Sequence, residues 1–457
     1  MASSIFHFVL LFLLTFSSSR VQSHEQGYIR AEISNKGLEF LKDLLIEKAE
    51  SSLVPLELPN IEKHVKIPIV GTVQMVLSDI TIERIHVTSS TLKSGDSGIV
   101  IDVSGSTANL STNWKYSYST WLLPIAFSDK GSATVQVEGL EVGLTLSLKT
   151  LEGSLKLSLL ECLVDAFEGK ISSAVEDAVP KKIKESIVKL DSLLQSLPKE
   201  VPVTNIAALN ITFIDDPELS ESSLDLEING LLSAKDEFML SSKYHSLRDS
   251  FFCKEADKMV KFSFHEDVLK SASSVYFEAN KMHWLLDKAP DQSLLNTAGW
   301  RFIVPQLYKK YPNHDMNLNL SVSSPPIIEV DKQQIRVKVP LDVVIDVLDV
   351  DEVIPVLCIS VVISTSMSAE ISRNAVTGSV KLNDFTMSLN WSKVGDLHMR
   401  LFQILMSTTL KTVILPYVNL KLSKGFQLPA FHGYELLDAQ IVCKDSWIVI
   451  CSDVSSV

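Results

Sequence analysis

Met259-Val260-Lys261-Phe262-Ser263-Phe264-His265 alternates apolar and polar residues, then passes directly into Glu266 to Ala279. There Val268, Leu269, Ala272, Val275, Tyr276 and Ala279 fall on one helical face. The same plan occurs near the start of the chain, where Tyr28-Ile29-Arg30-Ala31-Glu32-Ile33-Ser34 leads into a helical pattern from Lys36 to Ala49. Each half closes on a long helical pattern and a Leu-Pro exit, Leu197-Pro198 and Leu428-Pro429. A repeated strand-helix opening and a repeated ending describe a duplicated domain.

Between these landmarks the chain is mostly strand. Leu140-Glu141-Val142-Gly143-Leu144-Thr145-Leu146-Ser147-Leu148 alternates with period two, while Val135 and Val137 lie in the opposite phase. The slip predicts a β-bulge at Gly139. A helical pattern is expected from Leu163 to Leu197, kinked or split at Pro180, and another from Gly395 to Lys424, broken at Pro416. The class is α+β. The 457 residues are enough for two sizeable cores, and a composition 46% hydrophobic but only 7% aromatic makes those cores aliphatic.

The N-terminus reads as a secretory leader over residues 1–23, with an apolar run from Ile5 to Phe16 and small residues at Val21-Gln22-Ser23. Four glycosylation sequons fit that route, at Asn109, Asn210, Asn319 and Asn390. Five cysteines, Cys162, Cys253, Cys358, Cys443 and Cys451, match no metal spacing. Cys443 and Cys451 flank a hairpin-like segment and are candidate neighbours, with the connectivity open. The net charge of −13 excludes nucleic acid as a partner, and the acidity concentrates early, with 19 basic against 30 acidic residues before Gly230.

Catalytic signals are weak. Gly95-Asp96-Ser97-Gly98 has the form of a serine-protease nucleophile motif, but it sits early in the chain between strands and reads as turn chemistry instead. Asp346, Asp349, Asp351 and Glu352 lack a calcium-loop spacing. No enzyme, metal or cofactor is implied. Lys181, Lys182, Lys184 and Lys189 read as a solvated helix face.

Four blocks resemble the bactericidal permeability-increasing and lipopolysaccharide-binding protein family, in a plant-type form. They are Ile33 to Leu38, Met259 to Ala279, Val304-Pro305-Gln306-Leu307-Tyr308-Lys309-Lys310-Tyr311-Pro312 leading to Ser323-Ser324-Pro325-Pro326, and the tail Leu415 to Pro429. The resemblance implies two pseudo-symmetric barrel-like domains, each a twisted antiparallel sheet around a long helix, joined by a central sheet in a boomerang. It implies a leader at 1–23, a first lipid-binding barrel at 24–230 and a linker at 231–258. The second barrel, with central-sheet strands, then occupies 259–457.

On their own the helix stripes would face a core. The resemblance assigns Leu38, Leu41 and Leu45, and Leu269, Ala272 and Tyr276, to apolar pockets for acyl chains. Trp114, Tyr116, Tyr118 and Trp121 stand where lysine-rich relatives grip lipid A, and aromatic residues suit a lipid interface. The expected function is recognition of lipopolysaccharide in defence, with the bacterial outer membrane as a partner surface. Phospholipid binding or transfer is the alternative, and a secreted serine hydrolase using Ser97 the second. Two departures stand out. The family pairs a cysteine near Cys162 with a helix position matching about Lys184, and a strand-rich segment expected after Cys162 is missing because Leu163 to Phe167 already reads as helix. If one pocket is impaired, it is the first.

Overall fold

The computed structural model describes residues 27–67, 71–95, 98–119, 126–165, 170–234, 253, 257–288, 292–350, 352–372, 375–395, 397–427 and 433–456. The chain divides into two compact units. Among the described residues, one holds Glu32–Pro198 and Asp215–Leu226, and the other holds residues 27–31 together with Lys199–Ile214 and Glu227–Val457.

In the first unit Ser34 ends the strand Ile29–Ser34 and caps helix α1 (Asn35–Ser52), its Oγ accepting from the Gly37 backbone nitrogen at 3.4 Å. The sheet is antiparallel. Its central order is Leu56–Leu58, Gly71–His86, Gly98–Ser119, Ala126–Leu151, Ser154–Asp165, and Ile61–Ile67 and Ser89–Gly95 pair at its margins. The bulge falls where the phase slip places it. Leu140 pairs with Ser106 and Val137 with Ala108, three residues against two, and Gly139 in the longer span takes φ +72°, a left-handed conformation that suits glycine. The slip keeps Val137 and Leu140 both buried.

Helix α2 (Lys170–Gln195) lays Val175, Val179 and Ile183 against Ile80, Ile82 and Leu110 of the sheet. Two details differ from expectation. The stretch from Leu163 continues the strand Ser154–Asp165, pairing Leu163 with Gly143 and Asp165 with Glu141, because the neighbouring long strand offers its backbone a ladder. Pro180 lies inside one continuous helix, so the chain is not split there, the hydrogen bond lost at the Glu176 carbonyl being offset by burial of the flanking apolar residues.

The second unit contains a seven-stranded sheet, a small three-stranded one and part of a six-stranded one. The largest runs His283–Leu286, Asp315–Val322, Ile335–Asp349, Glu352–Ser372, Ala375–Ser392, Phe426–Gln427, with Ile327–Val330 paired to Ile335–Asp349. Its inner residues, among them Ile345, Val347, Leu357 and Ile359, pack with Trp300, Leu307 and Phe402. In the six-stranded sheet Val260–His265 pairs with Trp447–Ser456, which pairs with Tyr434–Lys444. Helix α3 (Glu266–Glu278) follows Val260–His265 directly, reproducing the opening plan. Its Val268 and Val275 pack on Tyr28, Ile29, Ala207 and Leu232.

Helix α4 (Pro305–Lys310) is a short turn opened by Pro305. The last helical stretch is α5 (Met399–Thr409), a π-helical turn (Leu410–Ile414) and α6 (Leu415–Ser423). The irregularity precedes Pro416, so the missing N–H falls in the first turn of α6, where it costs least. The disulfide joins Cys253 to Cys451, with Cα atoms 6.2 Å apart. It replaces the expected Cys443 neighbour, which register places opposite Ile448 instead. Cys162, Cys358 and Cys443 are free thiols, so the family bridge from Cys162 is not formed.

Candidate functional site

The strand Gly98–Ser119 carries one apolar face past the end of the core. Ala108, Leu110 and Thr112 are 0, 1 and 5% exposed, Trp114 and Tyr118 are half-buried, and Tyr116 is 39% exposed. Even-numbered positions share a face because the strand is regular from Ala108 onward. Register extends that face over its neighbours. Tyr118 lies between Val73 and Phe127, Tyr116 between Met75 and Asp129, and Trp114 between Leu77 and Gly131. Met75 and Phe127 are exposed, as is Val65, which pairs with Val73.

The aromatic rings are ordered among themselves. Tyr118 and Phe127 stack across strands at 5.4 Å, and Trp114 and Tyr116 stack along the strand at 5.9 Å. The Trp114 indole covers Gly131, where an added Cβ would meet its Cζ2 at 2.8 Å. Gly131 is therefore part of the site and carries no signal in the sequence. The opposite face carries exposed Lys66, Lys115 and Lys130, the last two paired side by side. Trp121 lies outside the described residues.

On α1, Leu38 is buried while Leu41 and Leu45 are half-buried. Sequence reasoning missed Lys42, buried on the same helix. Its Nζ donates to a Glu39 carboxylate oxygen and to the Ser90 carbonyl at 3.3 Å, and lies 3.2 Å from Asp43. Burial alone would depress this ammonium, but the bonds to Glu39 and Asp43 outweigh it and raise its pKa above the ordinary lysine value. On α3, Leu269, Ala272 and Tyr276 are half-buried. Ala272 and Tyr276 pack beside the Tyr28, Ile29 and Ala207 cluster, and the Tyr276 hydroxyl bonds Thr204 Oγ1 at 3.1 Å.

The base of α3 is ionic. His265 Nδ1 lies 3.3 Å from both the Asp267 backbone nitrogen and its carboxylate, and Lys270 Nζ lies 3.0 Å from Asp267 and 2.7 Å from Glu266. His265 first, and then Lys270, hold the Asp267 carboxyl at about 2, against the opposing effect of burial.

Of the sequons, Asn319 and Asn390 are exposed, whereas Asn109 and Asn210 are half-buried; Asn210 Oδ1 accepts from Thr212 N and Oγ1. Gly95 and Gly98 pair at the end of a hairpin, and Asp96 and Ser97 lie outside the described residues. Among the described residues no group of three or more His, Cys, Asp or Glu side chains is placed to hold a metal ion.

A duplicated α+β plan with apolar faces left partly open defines a class, and comparison gives it a family. The chain belongs to the LBP / BPI / CETP family: the model of its N-terminal domain matches residues 37–201 and that of its C-terminal domain residues 202–456. Among relatives, a BPI/LBP family protein of Arabidopsis thaliana is 47% identical, covering 98% of this chain and 96% of that one. The lipopolysaccharide-binding protein of Homo sapiens is 24% identical over 98% of this chain and 97% of its own length. A crystal structure of lipopolysaccharide binding protein shares the fold at a TM-score of 0.59 and 22% identity, over 94% of this chain and 99% of that one.

Proposed function

We propose that the protein binds lipids by their acyl chains and that the aromatic end of its first sheet meets lipopolysaccharide. The observation that carries this reading is the Gly98–Ser119 strand. Its apolar face goes from fully buried at Ala108 to open at Tyr116 without a polar interruption larger than Thr112. An open face of this kind gains from covering, at about 0.8 kcal/mol for each methylene taken out of water. Leu41 and Leu45 on α1, and Leu269, Ala272 and Tyr276 on α3, supply the proposed acyl-chain linings. Lys66, Lys115 and Lys130, across the sheet from the aromatic rings, suit the phosphates of lipid A.

Secretion fits the leader, the exposed Asn319 and Asn390 sequons and the Cys253–Cys451 disulfide, which favours an oxidising compartment. Defence is the role in keeping with relatives named for lipopolysaccharide binding. Phospholipid binding or transfer is the second reading, favoured by the aromatic face of the tip, where Lys63 is the one cation among the described residues.

Competition between lipid A micelles and phosphatidylcholine micelles for the protein separates the two. Preference for lipid A that falls on the order of tenfold in Tyr116→Ser/Phe127→Ser supports the first, from the loss of two aromatic burials. Equal competition, unaltered by those substitutions, supports the second. Binding of neither lipid defeats both.

A further inference from the structure

The helix Met399–Ser423 packs on its sheet through one face. Phe402 is buried edge-on against Trp300, with ring centroids 5.0 Å apart, and Leu410 is buried. Asn419 clamps the strand Ala375–Ser392, its Nδ2 donating to the Val380 carbonyl at 3.0 Å and its Oδ1 accepting from the Val380 nitrogen at 2.7 Å. Met406, Ile414, Leu415, Val418 and Leu422 are half-buried, whereas another face of the helix turns apolar side chains outward. Ile404 is 65% and Leu420 58% exposed, and Leu401 and Tyr417 are also exposed.

Charge is sorted as well. Arg400, Lys411, Lys421 and the capping Lys424 are all exposed, and Met399–Ser423 contains no Asp or Glu, in a chain where acids outnumber bases 55 to 42. Lys421 Nζ rests 5.5 Å from the centre of the Tyr417 ring, leaving an aromatic and a cation at one exposed spot. Bare apolar residues interspersed with cations are the composition of a helix that lies in a bilayer interface, where the cations are drawn to an anionic surface. The anchors at Phe402 and Asn419 hold the helix on its sheet, so it lies on a bilayer rather than crossing it.

We propose that the exposed face of Met399–Ser423 docks the protein on an anionic lipid bilayer. This surface differs from the tip of the first unit and acts whichever lipid the protein carries. The test is flotation of the full chain with vesicles of phosphatidylcholine alone and of phosphatidylcholine with phosphatidylglycerol, beside uptake of a fluorescent acyl-chain phospholipid from detergent.

The expected result is flotation at least tenfold stronger with the anionic vesicles and suppressed by salt. It is lost in Ile404→Glu/Leu420→Glu and reduced in Lys411→Gln/Lys421→Gln, with acyl-chain uptake unchanged. Ile404→Trp should show a blue-shifted emission on adding anionic vesicles, a readout that needs no destabilising change. Equal flotation with both vesicles, flotation unaffected by the substitutions, or no shift from Ile404→Trp overturns the proposal. So does a parallel loss of acyl-chain uptake, which would make this face a lining, or a dimer that dissociates in Ile404→Glu/Leu420→Glu.

Discussion

Gly131 and Trp114 show what a single position contributes. The indole lies over a residue without a side chain, so Gly131→Val must displace it. The expected outcome is a folded protein with red-shifted tryptophan emission and weaker lipid A binding, read by fluorescence titration; an unchanged spectrum would mean the ring does not rest there. At the base of α3, Asp267 titrates at about 2 rather than its ordinary 3.8. A depressed carboxylate contributes stability that is present above the ordinary value and is lost as pH falls toward 2. Asp267→Asn should therefore cost about 1 kcal/mol at neutral pH after allowance for solvent screening, and nothing near pH 2. Urea denaturation at several pH values checks this, and a cost that persists at pH 2 contradicts it. The alternation of Trp114, Tyr116 and Tyr118 was legible because period two is written along one strand. Met75, Phe127 and Gly131 were not, because cross-strand neighbours depend on register set by the bulges at Asp79 and Gly139.

Elements follow the sequence where one period dominates and depart from it where tertiary pairing decides. Strand-helix openings and the Gly139 bulge came through because hydrophobic period and glycine conformation are local. Leu163 to Asp165 carries no strong local preference, and the ladder with Glu141 to Gly143 makes it strand. Lys42 escaped notice because a lysine on an apolar stripe is legible only once Glu39, Asp43 and the Ser90 carbonyl are seen around it. The disulfide was equally hidden, since Cys253 and Cys451 are 198 residues apart. Closing so long a loop restricts the unfolded chain strongly, so Cys253→Ser/Cys451→Ser should lose about 3 kcal/mol, measured by denaturant unfolding with and without reductant. A wild type insensitive to reductant and equal to that variant would show the bridge contributes nothing.

Across the whole molecule, each unit has its own aliphatic core, one centred on α2 and the other between the larger sheet and Trp300, Leu307 and Phe402. Both leave helix faces half-covered at Leu41, Leu45 and Leu269. Leu41→Asp/Leu45→Asp and Leu269→Asp should each remove part of the acyl-chain uptake while the other unit keeps its share. The central claim is that these faces hold lipid. Native mass spectrometry of protein purified from a secretory host, followed by extraction and identification of what accompanies it, tests that most directly. Acyl lipid should co-purify and be reduced in Leu41→Asp/Leu45→Asp; protein that carries no lipid and takes none from lipid A or phospholipid micelles would show that these faces hold none.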